Sequence, residues 1–384
     1  MHPLKQIIDE QLENNLADQP IMEPVDFQTA VQESSAPHHF ATSRSRTPAV
    51  YQSMRHVGEI SATALRVMGC TPEDTLLNLL APPPHLSGVA AINGAKIVGA
   101  SVSNDHFEDM SAILAAGQDE EVSILASIPS IARQKADEIN EAHGDPTAIF
   151  PNLSRAFLGG EPVRPEHRRT TKTNWGVESV HEFYGSSEAS LIAVGHDESR
   201  RLVPLLNHLI IELYDGENII DIREIETEQT GEILLTDPAR EAITLRRYRQ
   251  GDRIRVYPDK ELPRIEPLGR ADDAIDFDGA LLHPTDLFNA MESANLPVNR
   301  TIGYVEDTEY PTTLTLYSAT SGEFDEERLT ESLVAANPAL VNVIEDDSRA
   351  RIAVQGVETV DEIPIMLPDE SLDETLIFAS QVDR

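Results

Sequence analysis

Lysine is scarce in this chain. Only Lys5, Lys96, Lys135, Lys172 and Lys260 stand in 384 residues. Lysine and arginine together number 30 against 66 aspartates and glutamates, a formal net charge of −36. The carboxylates are spread along the whole length, so no basic face is available to track a phosphate backbone, which excludes nucleic acid as a partner. Cysteine is nearly absent as well. Cys70 is the one example, which rules out an intrachain disulfide and a cysteine-rich zinc site. Lying before Thr71-Pro72-Glu73-Asp74, it reads as a small buried side chain. No stretch approaches the ~20 apolar residues of a membrane span. The start Met1-His2-Pro3-Leu4-Lys5 has no apolar signal core. A cytoplasmic protein without a membrane partner is the expectation.

What is present in excess is negative charge. Self-repulsion on this scale destabilises a compact chain in dilute buffer. In molar salt the Debye length shrinks to about 3 Å and the repulsion is screened. With lysine so rare, the composition points to a protein that works in concentrated salt, as in the cytoplasm of a halophilic microbe. Apolar residues make up 40% of the chain, enough for real cores. The length suits a large domain followed by a smaller one.

Residues 1–35 read as a helical, acidic leading segment that carries Ile7, Ile8, Leu12 and Leu16. A polar stretch around His38-His39 and Thr42 to Pro48 follows. Val50 to Met68 reads as helix. Short apolar runs then alternate with helical patterns: Thr75 to Leu80, Ile97 to Val102, Ser123 to Pro129 and Arg155 to Gly160 read as strands, and Ser130 to His143 as helix. That alternation predicts a mainly parallel sheet covered by helices. After Tyr184 the texture changes. Leu209 to Tyr214, Gly231 to Thr236 and Asp252 to Val256 predict a smaller antiparallel β subdomain. Beyond Gly269, the strand Thr312 to Tyr317, the amphipathic helix Asp325 to Ala336, and the strands Leu340 to Ile344 and Arg351 to Val354 predict a small α+β unit of the βαβ kind.

The strongest chemical signal is Phe183-Tyr184-Gly185-Ser186-Ser187-Glu188, about 25 residues past the turn Gly159-Gly160-Glu161-Pro162. A ring can stack on a base, hydroxyls can meet a phosphate, and a glutamate can hold a hard cation such as Mg²⁺. Taken alone, the hexapeptide reads equally well as a Gly-Ser turn with an exposed glutamate. Its company changes the balance. Tyr248-Arg249-Gln250-Gly251-Asp252 and Gly269-Arg270-Ala271-Asp272-Asp273 follow in order. A fixed carboxylate is a natural clamp for two ribose hydroxyls, and a neighbouring guanidinium can bridge ribose and phosphate. The histidines His38, His39, His56, His85 and His181 are scattered and read as surface or packed residues. Trp175 and Val177 read as core, and the pair Arg168-Arg169 as helix surface.

These segments together resemble the adenylate-forming superfamily, in its phenylacetate–coenzyme A ligase branch. Tyr184-Gly185-Ser186-Ser187-Glu188 is similar to the family's Tyr-Gly-x-(Ser/Thr)-Glu, Tyr248 to Asp252 to its Tyr-Arg-Thr-Gly-Asp, and Gly269 to Asp273 to its hinge motif. The likeness runs from about Phe40 to Gly279. It implies an α/β architecture: a large N-terminal adenylate-forming domain over 1–268, with 1–41 as a short leading segment, built of helix-covered, mainly parallel sheets plus a β subdomain. A small mobile α+β C-terminal domain follows over 269–384. By the resemblance Tyr184 stacks on adenine, with Gly160 and Glu161 lining the same pocket and Gly185 and Ser186 beside it. Ser187 meets the α-phosphate, Glu188 holds Mg²⁺, Asp252 binds the ribose, Arg270 reaches ribose or phosphate, and Asp272 is the hinge. His85 falls by position near the acyl pocket, though it also reads as a plain loop histidine.

The implied reaction joins a carboxylic acid, an aryl acid in the related branch, to ATP. It releases pyrophosphate, then passes the acyl group of the adenylate to a thiol such as coenzyme A; AMP leaves. Two departures bear on this. The family's glycine-rich pyrophosphate loop is matched by Thr42-Ser43-Arg44-Ser45-Arg46-Thr47-Pro48-Ala49, with both glycines replaced by arginine and the lysine by alanine. Thr42, Ser43, Ser45 and Thr47 remain as candidate phosphate contacts. Arginine does not take up glycine's positive-φ conformations cheaply. No lysine follows Lys260, although the family carries one near its C-terminus. A catalytically reduced paralogue that binds nucleotide or acyl-coenzyme A is therefore the alternative. Acyl transfer to an amine or protein thiol in place of coenzyme A is a third possibility, and a homodimer is left open.

Overall fold

The computed structural model describes residues 16, 19–41, 48–103, 109–119, 121–195, 199–241, 243–259, 261–271, 275–277, 280–297, 301–306, 312–318, 325–337, 340 and 350–357. The chain divides into two compact units, residues 1–163 with 167–267, and residues 164–166 with 268–384.

The first part of the chain runs through α1 (Pro24–Glu33), the strands β1 (His38–Phe40) and β2 (Ala49–Tyr51), α2 (Met54–Val67), β3 (Thr75–Asn78), α3 (Leu86–Val98), β4 (Ser101–Ser103), α4 (Met110–Asp119), β5 (Ile124–Ser127), α5 (Pro129–Ala142), α6 (Pro146–Ile149), β6 (Arg155–Gly159), α7 (Pro165–Trp175), β7 (Ser179–Ser186), β8 (Ser190–Val194) and β9 (Val203–Pro204). Seven of these strands form one sheet in the order β4-β3-β5-β6-β7-β8-β9. Pairing is parallel from β4 through β7 and antiparallel from β7 to β9.

Alternation along each central strand sends successive side chains to opposite faces. Leu76, Ile124 and Phe157 enter one buried cluster with α2 and α3. Leu77, Leu125 and Ala156 enter another, with Trp175 and Val177. The mainly parallel, helix-covered sheet is thus as the sequence predicts, and Trp175, Val177 and Cys70 are buried. Burial pushes the Cys70 thiol up to about 11.

Five further strands, β10 (Ile210–Tyr214), β11 (Ile219–Asp221), β12 (Gln229–Asp237), β13 (Leu245–Tyr257) and β14 (Arg264–Arg270), make the expected second sheet in the order β11-β10-β12-β13-β14. Pairing is antiparallel for β10 with β11, β10 with β12 and β12 with β13. α1 covers it, with Phe27 5.2 Å from the Tyr248 ring.

The second unit contains β15 (Ile275–Phe277), β16 (Ala280–Leu282), α8 (Pro284–Ser293), β17 (Thr301–Glu306), β18 (Thr312–Ser318), α9 (Glu326–Ala336) and β19 (Ala350–Gly356). β18 and β19 lie parallel across α9, the expected βαβ arrangement, and β17 pairs antiparallel with β18. Its core gathers Leu287, Met291, Leu314, Leu316, Leu329 and Leu333.

Three readings are corrected. Ile97 and Val98 end a helix and do not begin a strand: Gly99 at φ +95° caps α3, and the strand starts at Ser101. A short apolar run is ambiguous between a buried helix end and a strand, and the left-handed glycine decides it. The helix read from Val50 starts at Met54, because Ser53 accepts the Arg55 N–H as N-cap while Ala49 to Tyr51 pair with β1. Arg168 is not surface: it is buried and donates to Glu182 at 2.9 Å and to the Val180 carbonyl; Arg169 is exposed. Of the leading helix read over 1–35, residues 1–15 lie outside the described residues, as does 341–344 of the strand read at Leu340.

Candidate functional site

In an open parallel sheet, the carboxyl ends of the strands are where ligands gather, at the point where strand order or direction changes. Here β6 and β7 are parallel with Gly159 opposite Phe183. Gly160 and Glu161 therefore leave the end of β6 beside Tyr184. β7 then turns through Ser187, Glu188 and Ala189 into antiparallel β8. The turn is tight at Gly185, where a Cβ would stand 2.4 Å from the Ser190 carbonyl oxygen.

The second sheet contributes at the same place. The Tyr184 hydroxyl donates to Asp252 Oδ2 at 2.7 Å and accepts from Gln250 Nε2 at 2.7 Å. Gln250 also donates to Asp252 Oδ2 at 2.9 Å. A residue of β7 and two of β13, 66 and 68 positions apart, are thus fixed to one another. This is the combination the sequence singled out as ring and ribose clamp, with Gln250 as the added link. Gln250 lies inside the Tyr248–Asp252 motif, and no local pattern in the sequence marks its amide for this link.

Glu188 lies in a half-buried position on the turn. Burial pushes its carboxyl up; its own backbone N–H, the Arg240 guanidinium and the Ser186 hydroxyl work against this, and Asp252 adds to it as a like charge. A carboxylate placed so gains by meeting a cation. The turn is braced from behind: Tyr51 donates from its hydroxyl to the Ser187 carbonyl at 2.7 Å and the Glu188 carbonyl at 3.2 Å. Ser187 Oγ donates to the Ala41 carbonyl at 2.9 Å, and Ser186 Oγ accepts the Ala189 N–H. Tyr51 and Arg240 carried no motif signal, and only the tertiary structure reveals them. Phe40 and Ala49 are register partners, so both residues flanking the 41–48 stretch are held near this turn.

Other candidates fall differently. Glu161 accepts the Ser130 amide at 3.1 Å and the Ser130 hydroxyl at 2.5 Å, at the amino end of α5. Arg270 ends β14 and belongs to the second unit. Thr42, Ser43, Ser45, Thr47 and Asp272 lie outside the described residues, as do Arg44, Arg46 and the region 361–368. His85 is exposed just before α3. Among the described residues no group of three or more His, Cys, Asp or Glu side chains is arranged to hold a metal by itself, and no helix is long and apolar enough to cross a membrane.

The profile of the AMP-binding enzyme family matches residues 50–240, which carry Tyr184 to Glu188. That segment is similar to AMP-binding enzymes. Among curated proteins, phenylacetate-coenzyme A ligase of Pseudomonas putida is 28% identical over 212 residues, 52% of this chain and 46% of that protein. The chain thus spans about half the length of the curated relative it matches. Among solved structures, an open conformation of 2-hydroxyisobutyryl-CoA ligase, in complex with 2-HIB-AMP and CoA, aligns with a TM-score of 0.68 at 15% identity, over 94% of this chain and 82% of that one. Apo MatB from Rhodopseudomonas palustris aligns with a TM-score of 0.61 at 16% identity, over 88% and 65%. At these identities the solved structures speak for the fold.

Proposed function

We propose that this chain activates a carboxylic acid with ATP and hands the acyl group to a thiol, coenzyme A by analogy with the relatives. The observation that carries the reading is the Tyr184–Gln250–Asp252 link beside Glu188, at the carboxyl ends of β6 and β7. Its phenol tethered at the tip, the Tyr184 ring is fixed as a platform for adenine. Gly160 and Glu161 flank it, and Asp252 holds the ribose hydroxyls. Gly185, Ser186 and Ser187 carry the turn to the α-phosphate. Arg270 supplies a guanidinium to ribose or phosphate, and Asp272 is the hinge between a domain over 1–268 and one over 269–384.

In the first step a carboxylate oxygen attacks the α-phosphorus, the acyl–phosphate bond forms, and pyrophosphate leaves. In the second, the thiol sulfur attacks the acyl carbon, its proton is lost, and AMP leaves. Glu188, raised by burial against the opposing pull of Arg240, Ser186 and its own backbone N–H, fits a divalent cation bound chiefly through substrate phosphates. Mg²⁺ there would neutralise charge building on the phosphate oxygens. An aryl acid is the substrate class we assign, on the phenylacetate ligase likeness.

The test is acid-dependent ATP–pyrophosphate exchange in concentrated KCl with Mg²⁺, using a panel of aryl and fatty acids and a Glu188→Ala control. Exchange lost in the control establishes the reaction. The replaced glycines at Arg44 and Arg46 favour a second reading, a reduced paralogue that binds nucleotide. Folded protein that binds ATP without exchange would select it.

A further inference from the structure

A cavity of about 810 Å³ lies in the first unit, and its lining does not include Tyr184, Glu188 or Asp252. It is lined by Tyr51, by Ser53, Arg55 and His56 at the amino end of α2, and by residues 238–241. That size is of the order of a small-molecule site. Three arginines face it, Arg55, Arg66 and Arg240, against two glutamates, Glu59 and Glu241. In a chain with 30 basic and 66 acidic side chains, this wall reverses the overall balance.

Arg240 is the decisive group. It is 4% exposed. One guanidinium nitrogen, Nη2, donates to the Val50 carbonyl at 2.8 Å, and the head lies 4.1 Å from the Tyr51 ring centroid. Its Nε and Nη1 are buried and meet no hydrogen-bond partner among the described residues. The buried carboxylate nearest in sequence, Asp237, is engaged elsewhere: Oδ2 by His56 Nε2 at 2.7 Å and Oδ1 by the Ala239 amide at 3.1 Å. Glu188 acts on Arg240 through space, but the unmatched buried N–H groups are still costly, and an anion that accepts from them relieves that cost. The 14-residue helix α2, capped by Ser53, adds the positive end of its dipole on the same wall.

We propose that this cavity is an anion subsite that takes a phosphate group, with Arg240 as its principal cation. Guanidinium is the side chain best matched to phosphate oxygens. The site does not require the chain to be a ligase. If it is one, two sources share the chemistry: inorganic pyrophosphate released by the first step, and the phosphorylated nucleotide end of coenzyme A. Because the Tyr51 hydroxyl holds the Ser187 and Glu188 carbonyls, occupancy would bear on the turn.

The experiment is calorimetric titration of the full chain, at the lowest KCl that keeps it folded. The probes are inorganic pyrophosphate and, separately, adenosine 3′,5′-bisphosphate. Saturable binding of either is expected, and the probe that binds names the source. Arg240→Gln should abolish binding, Arg240→Lys should weaken it about tenfold by losing the planar head, and Asp252→Asn should leave it intact. Should Arg240→Gln not fold, Arg240→Lys and the exposed Arg66→Gln carry the test. The proposal is overturned by wild-type protein that binds neither probe, by folded Arg240 variants that bind as wild type, or by loss of binding in Asp252→Asn, which would assign the anion to the nucleotide site. A ligase with no anion subsite would still exchange pyrophosphate in the assay above, so the two failures are distinct.

Discussion

The two sheets of the first unit bury different chemistry. In the seven-stranded sheet the central strands β3, β5 and β6 carry leucine, isoleucine, alanine and phenylalanine to both faces. Their charged cluster is held at the amino ends, where Arg155 donates to Asp74 Oδ1 at 2.5 Å and Ser123 donates to the same oxygen at 2.7 Å. In the five-stranded sheet, β13 alone carries Arg246, Arg247, Arg249, Arg253 and Arg255. Several meet glutamates: Arg247 with Glu212, Arg249 with Glu232, and Arg255 with Glu266. One sheet is specified by apolar alternation, the other by paired charge laid over an apolar face. The candidate site stands where a strand from each meets the other, so its Tyr184 rests on the first kind of order and its Gln250 and Asp252 on the second.

The sharpest test of that contrast is Arg247. It grips Glu212 through two bonds of 2.9 and 2.7 Å, with both side chains under a tenth exposed. Removing one partner leaves the other charge buried and alone. Arg247→Ala should therefore cost about 3–5 kcal/mol in denaturant unfolding. The double variant Arg247→Met with Glu212→Leu should recover most of it, since buried pairs are often replaceable by apolar groups. A double variant as unstable as the single one would mean that the fork sets strand register, and the contrast between the sheets would be deeper than charge accounting.

Glu188 tests the site itself. Glu188→Gln removes a charge that burial disfavours, so folding should be unharmed or improved. Exchange activity should fall by roughly 10²- to 10³-fold, the scale of losing one oriented electrostatic contact in a transition state. A variant that lost stability along with activity would place Glu188 in the scaffold. The readouts are thermal unfolding and exchange rate on the same preparation.

Both sheets were legible from the sequence, for different reasons. Leu76-Leu77, Ile124-Leu125 and Ala156-Phe157 are short apolar runs bounded by turn residues, and period two does the rest. The β subdomain was visible because Ile233-Leu234-Leu235 and Ile254-Arg255-Val256 alternate or run apolar between polar flanks. Tyr184, Glu188 and Asp252 stand out in the sequence through motifs that resemble the family's, and the fold brings the Tyr184 hydroxyl to Asp252 at 2.7 Å. What the sequence did not disclose is what comes from far along the chain. Tyr51 bonds carbonyls 136 and 137 positions away, and Arg240 reaches a carbonyl 190 positions away. Neither leaves a local pattern. Arg168 was misread for the same reason: on a helix a charged pair looks like surface until the strand carrying Glu182 is laid against it.

That Arg168–Glu182 pair brings buried charge to the first sheet away from the Arg155–Asp74 cluster, and its pH dependence can break the contrast. Burial pushes the Glu182 carboxyl up from an ordinary value of 4.5 to about 7; Arg168 and Arg200 oppose this, and Glu266 adds to it. The native state then holds the proton more tightly than the unfolded chain. The resulting stabilisation is complete below about pH 4.5 and is lost as pH climbs through about 7. Relative to Glu182→Gln, the wild type should lose about 2 kcal/mol between pH 5 and 8. Chemical unfolding of both across that range is the measurement. A difference that ran the other way would mean the ion pair outweighs burial, and the seven-stranded sheet would then use charge as the other one does.

The smallest effect is expected two residues along β13 from the largest. Arg249 grips Glu232 through the same double bond, both contacts 2.7 Å, but its side chain is 35% exposed against 7% for Arg247. Geometry is matched, so burial is the main variable between the two forks. Water and salt reach the partly exposed Arg249, which also meets Glu23 at 3.4 Å, and a pair screened in this way contributes about 1 kcal/mol or less. Arg249→Ala should cost no more than that in low salt, and nothing measurable in molar KCl, where the Debye length is about 3 Å. The cost of Arg247→Ala should persist at both salt concentrations, because its partner is shielded from ions. Equal salt sensitivity in the two variants would show that the Arg247 fork opens to solvent. The five-stranded sheet would then owe its stability to the ionic strength around it, as a chain carrying a net charge of −36 would if its whole surface were tuned to concentrated salt.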